Sequence, residues 1–169
     1  MKKISILFII CYFIFLPKAF ASTEYTFPWP GILPDNKLYK IKVLRNKIIE
    51  KMIVSPVKKV EFDLLMADKT IYASKLLVDK GEIDLAKDIA LKGENYYSIL
   101  AQDYNKSLQQ KKKIPVQLDR KITLAAIKHQ EVFKQLEDAV AGENKKTFQI
   151  ASRFSKINYD FIVSLRNRK

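Results

Sequence analysis

Cysteine, glycine and histidine are scarce in this 169-residue chain, which has one cysteine (Cys11), four glycines and one histidine (His129). A single cysteine forms no intramolecular disulfide and supplies no thiolate set for zinc. Four glycines are too few for a turn-rich β architecture or a glycine-rich phosphate loop. No glutamate stands at the spacing from His129 that di-metal helical bundles use. We therefore expect no metal, no cofactor, no catalytic residue and no enzymatic activity.

Residues 1–21 have the organisation of a secretory signal peptide. Lys2 and Lys3 precede an apolar run over residues 4–16, and residues 17–21 supply the small side chains of a cleavage site. The apolar run is shorter than the roughly 20 residues that a membrane-spanning helix needs. We predict cleavage after Ala21 and a secreted or extracytoplasmic protein. The alternative is that the segment is kept as an N-terminal membrane tether.

Residues 22–35 are rich in proline and aromatic residues and are predicted to form an extended segment, here called the strap. Proline fixes φ and withholds a hydrogen-bond donor, which disfavours the interior of helices and sheets. The strap carries Tyr25, Phe27 and Trp29. These aromatic side chains either pack against the body of the protein or form a surface for a partner. They are therefore candidate partner-binding residues.

Residues 36–169 are predicted to form one domain of five amphipathic helices joined by short links. The expected helices cover about residues 36–53, 56–80, 83–111, 117–141 and 145–167. Asp35 or Asn36 is expected to cap the first helix, and Ser55 the second. Since no segment has the alternating pattern of a strand, the chain is predicted to be an all-α, up-down helical bundle built from αα-hairpins.

Apolar stripes on these helices predict which side chains face the core. His129 lies within such a stripe on the fourth helix and is expected to be a partly buried, hydrogen-bonded core histidine; the alternative is a general base or a pH switch. Asp68, beside Lys69 in an apolar stretch, is expected to form an ion pair between helices. The first helix carries an apolar stripe on one face and lysines on the other, the stripe being Leu38, Ile41, Leu44, Ile48 and Met52.

Positive charge dominates the chain, which has 31 lysines and arginines against 18 aspartates and glutamates. After the signal peptide, nearly all of this excess lies beyond Asn105, where 15 basic residues accompany 6 acidic ones. Such a field favours anionic partners, for example envelope lipid or polymer, although a soluble helical protein can carry its net charge simply as lysines. Nucleic acid is not expected, because the lysines are spread over several helices with no recognition module. The basic candidates for partner binding are Lys111, Lys112, Lys113, Arg166, Arg168 and Lys169.

Four short motifs are distinctive: Pro-Gly-x-Leu-Pro-Asp at residues 30–35, Ala-Asp-Lys at 67–69, Gly-Glu-x-Tyr at 93–96 and Lys-His-Gln-Glu-Val at 128–132. Together they resemble domain-of-unknown-function family 5667, an uncharacterised family of exported helical proteins. In that family a proline usually stands where this chain has Lys37. The resemblance implies a signal-bearing, all-α extracytoplasmic protein, and it brings no catalytic residue to transfer.

Two hypotheses about function follow from these features. The first is an exported, non-enzymatic binding or structural module of the cell envelope, which contacts anionic surfaces through its basic C-terminal helices. Membrane contact would then be peripheral, or made only by an uncleaved signal segment. The alternative is an extracytoplasmic adaptor or sensor that binds a protein partner through the aromatic strap and the grooves between helices.

Overall fold

A computed structural model describes residues 24–167, and over this range it confirms an all-α architecture with five helices. We name them in chain order: α1 is Tyr39–Met52, α2 is Pro56–Asp79, α3 is Ile83–Gln109, α4 is Val116–Ala139 and α5 is Asn144–Arg166. Each boundary agrees with the sequence-based prediction to within a few residues. The predicted signal peptide and its cleavage site lie outside the described residues.

Helices α2 to α5 form an up-down bundle in which α2 packs on α3, α3 on α5, α5 on α4, and α4 on α2. The core consists of two apolar clusters, one toward each end of the bundle. One cluster combines the beginning of α2 with the end of α3, the beginning of α4 and the end of α5. The other combines the opposite ends of the same helices. Consecutive helices therefore run antiparallel, as short links between them require.

The α2–α3 hairpin is closely packed because Gly93 has no side chain. A Cβ atom at Gly93 would lie 2.6 Å from Cγ1 of Ile71 on α2. The hairpin turns at Gly81, whose φ of 82° is one that glycine adopts readily. The amide N–H groups of Gly81 and Glu82 donate back to the carbonyls of Val78 and Leu77. This pair of bonds is the Schellman arrangement that ends many helices.

Helix α1 lies against the outside of the bundle, and the prediction that its apolar stripe faces the core is wrong. No residue of α1 is buried. The five stripe residues, from Leu38 to Met52, are between 52% and 75% exposed. The opposite side of the helix faces α2 and α3 and carries Tyr39, Lys42, Val43 and Asn46. Amphipathicity correctly indicated a helix, but it did not indicate which face would be covered.

The predicted helix caps also differ in detail. Leu38 occupies the cap position of α1. Asp35 does not cap this helix, because its carboxylate accepts a 2.6 Å bond from Lys80 at the end of α2. Asn36 contributes through Oδ1, which accepts from the amide of Leu38 at 2.9 Å. Ser55 stands at the cap position of α2 as predicted, but its hydroxyl makes no capping bond.

Candidate functional site

One buried polar side chain from each helix of the bundle lies in a layer between the two apolar clusters. Asp68 of α2, Glu94 of α3, His129 of α4 and Ser155 of α5 are each at most 3% exposed. Nε2 of His129 lies 2.8 Å from Oδ1 of Asp68, which is hydrogen-bonding distance. Nδ1 of His129 lies 3.8 Å from Oε1 of Glu94, which is too long for a hydrogen bond. The predicted hydrogen bond of His129 is present, and its side chain is fully buried instead of partly buried.

The strap covers this polar layer. The hydroxyl of Tyr25 donates to Oδ2 of Asp68 at 2.5 Å, so Asp68 bonds to the strap and to α4 at once. The ring of Phe27 lies 5.6 Å from the ring of His129, centroid to centroid. On the other side, Tyr97 of α3 meets the same imidazole edge to face at 5.1 Å. Asp68 was predicted to interact with another helix, and it does so through His129 of α4.

Burial shapes the protonation of this layer. It raises the pKa of Glu94 from its usual 4.5 to about 8, and Ser155 and Asn158 oppose the rise only in part. Ser155 and Asn158 lie near the carboxyl group, but no contact to either of its oxygens among the described residues has good hydrogen-bond geometry. Glu94 is therefore mainly protonated at neutral pH. Burial, and then the charge of Asp68, raise the pKa of Tyr25 well above its usual range, which keeps its hydroxyl a donor.

The layer combines an acid and an imidazole, but the strap and the bundle enclose it. His129 has no exposed surface, so a molecule from solution reaches its ring only if the strap moves. Within residues 24–167, no group of three or more histidine, aspartate or glutamate side chains is arranged to hold a metal ion. In this conformation, the polar layer joins the strap to the interior of the bundle.

The candidate aromatic residues of the strap differ in exposure. Tyr25 and Phe27 are partly buried, and Phe27 also lies 6.0 Å from the ring of Tyr72. Trp29 is 64% exposed and meets Tyr72 edge to face at 5.9 Å. Of the three, Trp29 is the one with a large surface available to a partner.

Four of the six candidate basic residues lie within the described part of the chain, at one end of the bundle. Lys111, Lys112 and Lys113 are exposed on the α3–α4 link. Arg166 is engaged within the protein, since its guanidinium bonds to Oδ1 of Asp119 at 2.9 Å and to the Thr123 hydroxyl at 3.0 Å. The structure brings Lys113 and Arg166 together at a pocket of about 280 Å³. Arg168 and Lys169 lie outside the described residues.

A second site was not predicted from the sequence: an apolar groove of about 550 Å³ between the strap, α1 and α2. Trp29 and Ile32 of the strap line one side, and Phe62 and Leu65 of α2 lie across from α1. Three cations also line the groove, namely Lys42, Arg45 and Lys69. The groove thus places a group of positive charges beside an apolar surface.

These cations act on one another. The pKa of Lys42 is lowered first by burial and then by three charged neighbours, Lys69, Arg45 and Lys92, all of them cations. Burial and the nearby Lys47 lower the pKa of Lys92 in the same way. Lys42 donates to the carbonyls of Pro30 at 2.6 Å and Ile32 at 2.9 Å, which fixes its ammonium between the strap and α1.

The outward face of α1 continues this surface. Leu44, Ile48 and Met52 point away from the bundle, and Lys40, Lys47 and Lys51 are exposed on the same helix. Glu50 is the one carboxylate of α1, and its charge acts on the bundle side, at Asp63 and Tyr96. The sequence held a signal for this site: six of the basic residues before Asn105 fall between Lys37 and Lys51. Charge counted over half the chain concealed that local excess.

No helix in the described part of the chain is both long and apolar enough to cross a membrane. Comparisons with family models, curated proteins and solved structures find no match to this chain. Membership of domain-of-unknown-function family 5667 therefore stays a prediction.

Proposed function

We propose that this chain is an exported, non-enzymatic module that binds the surface of an anionic membrane, with α1 as the element that enters the lipid interface. The observation that carries the proposal is the orientation of α1. Its apolar stripe faces away from the bundle, on a helix whose exposed charges are all positive. A surface helix of a globular protein normally shows the opposite arrangement.

The physical basis is the match between this face and the boundary of a bilayer. A basic amphipathic helix lies in the interface with its apolar face about 5–10 Å below the headgroups. Each lysine or arginine near an anionic surface adds roughly 1 kcal/mol of attraction. The long stems of lysine let the ammonium groups stay at headgroup level while the apolar residues enter the lipid. The bundle then acts as a rigid support behind α1.

The basic C-terminal part takes a different role in this proposal from the one first expected. Arg166 is bonded to Asp119, and Lys146 and Lys156 of α5 pair with Glu143 and Asp160. The excess of 15 basic over 6 acidic residues after Asn105 still gives this part of the molecule a long-range positive field. The direct contact with lipid is assigned to α1, where apolar and basic groups occur together.

Vesicle sedimentation tests the proposal. We expect binding to vesicles of phosphatidylglycerol mixed with phosphatidylcholine, weaker binding at higher salt, and little binding to phosphatidylcholine alone. The double variant Leu44→Glu/Ile48→Glu should bind at least tenfold more weakly, because it replaces inserted apolar groups with carboxylates. Neither residue is buried, so the variant should keep the helical circular dichroism spectrum of the parent.

A matched variant, Ile157→Glu/Phe161→Glu, makes the same chemical change at two exposed residues of α5. It should bind vesicles like the parent. Both proteins share the N-terminus of the parent, so residues before the strap contribute equally to every measurement. Equal loss of binding in the two double variants, or no loss in the α1 variant, would contradict the role of α1.

A second candidate function, protein binding, is favoured by α5. This helix exposes an apolar row at helical spacing, consisting of Ile150, Phe154, Ile157 and Phe161. Rows of this kind dock into the grooves of partner proteins. If α5 binds a partner, Phe154→Ser/Ile157→Ser should abolish copurification of that partner and leave vesicle binding unchanged. A partner retained by this variant would rule out the α5 row as its docking surface.

A further inference from the structure

We infer that the groove between the strap, α1 and α2 binds a single-chain anionic phospholipid taken from the membrane, with the acyl chain in the groove and the phosphate on Lys42 and Lys69. This inference rests on the proposed function, because it names what α1 meets at the membrane. It concerns residues of α1 other than Leu44 and Ile48, the two that the vesicle experiment changes.

The apolar side chains that line the groove indicate that part of the ligand is apolar. Its volume of about 550 Å³ falls in the range of small-molecule sites, roughly 300–1,000 Å³. The apolar side chains come from three segments: Trp29 and Ile32 from the strap, Ile41 and Ile49 from α1, and Phe62 and Leu65 from α2. Two of the lining residues, Ile41 and Ile49, are also exposed on α1, so the groove opens toward the surface that we assign to the membrane.

The positive charges that line the groove indicate that the rest of the ligand is anionic. Lys42, Arg45 and Lys69 line the groove, and no aspartate or glutamate occurs among the lining residues that the structure describes. The charges acting on half-buried Lys42 are all positive, so an anion placed among them would be attracted by each. The ammonium group of lysine has three N–H donors. Two of those of Lys42 are used by the carbonyls of Pro30 and Ile32, so one remains for another acceptor. Lysine is also a common ligand of phosphate.

The geometry favours one acyl chain with a charged head over a protein segment. A peptide in the groove would need its own carboxylates to neutralise the three cations that line it. A single chain with a phosphate at one end satisfies both halves of the site at once.

Trp29 provides the test because it is the one tryptophan of the chain and it lines the groove. Lysophosphatidylglycerol is titrated below its critical micelle concentration while the tryptophan emission is recorded. We expect a saturable blue shift with one lipid per protein. Lysophosphatidylcholine with the same acyl chain should bind at least tenfold more weakly, and inorganic phosphate should give no shift.

Two groove variants address the assigned contacts. Lys69→Gln should weaken lysophosphatidylglycerol binding about tenfold and remove much of its preference over the zwitterionic lipid. Leu65→Gln, at a residue that is 40% exposed, should weaken both lipids. The Leu44→Glu/Ile48→Glu variant changes residues that do not line the groove and should bind the monomeric lipid normally.

The outcomes separate the two proposals. Vesicle binding that depends on Leu44 and Ile48, without any saturable shift of Trp29, overturns the lipid site and leaves the membrane proposal standing. A one-to-one shift without vesicle binding overturns the membrane proposal. Equal shifts with both lysolipids, or a shift with an acidic peptide but not with lipid, overturn the anionic phospholipid as the ligand.

Discussion

Asp68 accepts a hydrogen bond from Tyr25 of the strap and pairs with His129 of α4, and it does so at 2% exposure. Removing a buried acceptor leaves its hydrogen-bond partners, here Tyr25 and His129, unsatisfied, at a typical cost of about 1–3 kcal/mol each, or about 2–6 kcal/mol together. We expect Asp68→Ala to lower the free energy of unfolding by an amount in that range. Urea denaturation measures the change.

Tyr25→Phe is the matched variant, because it removes only the bond between the strap and Asp68. We expect a smaller loss, about 1–2 kcal/mol, together with faster proteolysis within the strap. If Tyr25→Phe cost as much as Asp68→Ala, the bond from the strap would account for the stabilisation, and His129 would contribute little.

Glu94 gives the folded protein a specific dependence on pH. Its pKa is about 8 in the folded chain, whereas the usual value, which applies after unfolding, is 4.5. Between these pH values the folded state holds a proton that the unfolded state has released, so stability falls as the pH rises. Well above pH 8, Glu94 is ionised in both the folded and the unfolded state, so its effect on stability no longer changes with pH. We expect Glu94→Gln, which stays neutral, to be more stable than the parent at pH 8 and about equally stable at pH 4.5.

The measurement is the free energy of unfolding by urea at several pH values between 4.5 and 8.5. Asp63, whose pKa is raised to about 7 by burial and by Asp103, contributes its own loss of stability in this window. The Glu94→Gln variant should therefore keep part of the pH dependence. Glu82→Gln, at an exposed residue, serves as the control. Parallel pH profiles for Glu94→Gln and the parent would contradict the protonated state assigned to Glu94.

The polar layer shows what sequence reasoning can find at the scale of residues. His129 was correctly predicted to lie in the core, because it interrupts an apolar stripe. Its partner was not predictable, since Asp68 is 61 positions away and only the packing of α2 against α4 brings the two together. The sequence predicted an interaction of Asp68 with another helix but gave no means of identifying the residue on that helix. On α2, α3 and α4, a polar residue near the middle of the apolar stripe was the available signal for the layer. Ser155 of α5 lies outside the apolar row of that helix, which is exposed.

Two helix ends show the same hydrogen bonding with different residues. At the end of α3 the amides of Lys111 and Lys112 donate to the carbonyls of Leu108 and Ser107, as Gly81 and Glu82 do at the end of α2. Lys111 holds a φ of 55°, which a side chain disfavours by about 1 kcal/mol or more. We expect Lys111→Gly to raise the free energy of unfolding by about 0.5–1 kcal/mol.

Thermal denaturation at fixed pH measures this effect. The matched variant is Lys112→Gly, which removes the same charge at a residue without positive φ and should be neutral or destabilising. Equal shifts of Tm in the two variants would mean that loss of charge, and not relief of backbone strain, controls stability at this link.

The helices themselves were largely predictable, because proline at position 56, glycine at 81 and 142, and the 3.6-residue periodicity mark where they begin and end. The orientation of α1 was not. Its apolar residues recur at helical spacing, as those of the bundle helices do, and periodicity carries no information about the surface that an apolar face meets. The bundle closes with four helices, and the strap and Lys42 hold the remaining one with its polar side inward. Which side of α1 faces the bundle therefore depends on tertiary packing.

At the scale of the whole molecule, the proposed membrane binding would depend on charge and on apolar surface in separable ways. The formal net charge of +13 acts over a distance set by salt, roughly 8 Å at physiological ionic strength. It therefore affects the rate at which the protein meets an anionic surface. The apolar row of α1 acts only on contact, so it affects the rate of dissociation. The basic residues predicted from the sequence and the helix revealed by the structure thus contribute to different steps.

Surface plasmon resonance on a phosphatidylglycerol-containing bilayer separates these steps. The triple variant Lys111→Gln/Lys112→Gln/Lys113→Gln should lower the association rate severalfold at low salt and leave the dissociation rate nearly unchanged. Leu44→Ser/Ile48→Ser, which adds no charge, should associate normally and dissociate at least tenfold faster, since inserted apolar groups must leave the lipid in the rate-limiting step. Raising the salt concentration should remove the difference between the triple variant and the parent, but not the difference caused by the serine substitutions. If the lysine variant instead dissociated faster at every salt concentration, the α3–α4 link would itself contact the headgroups, and the surface that binds the membrane would extend to the end of the bundle.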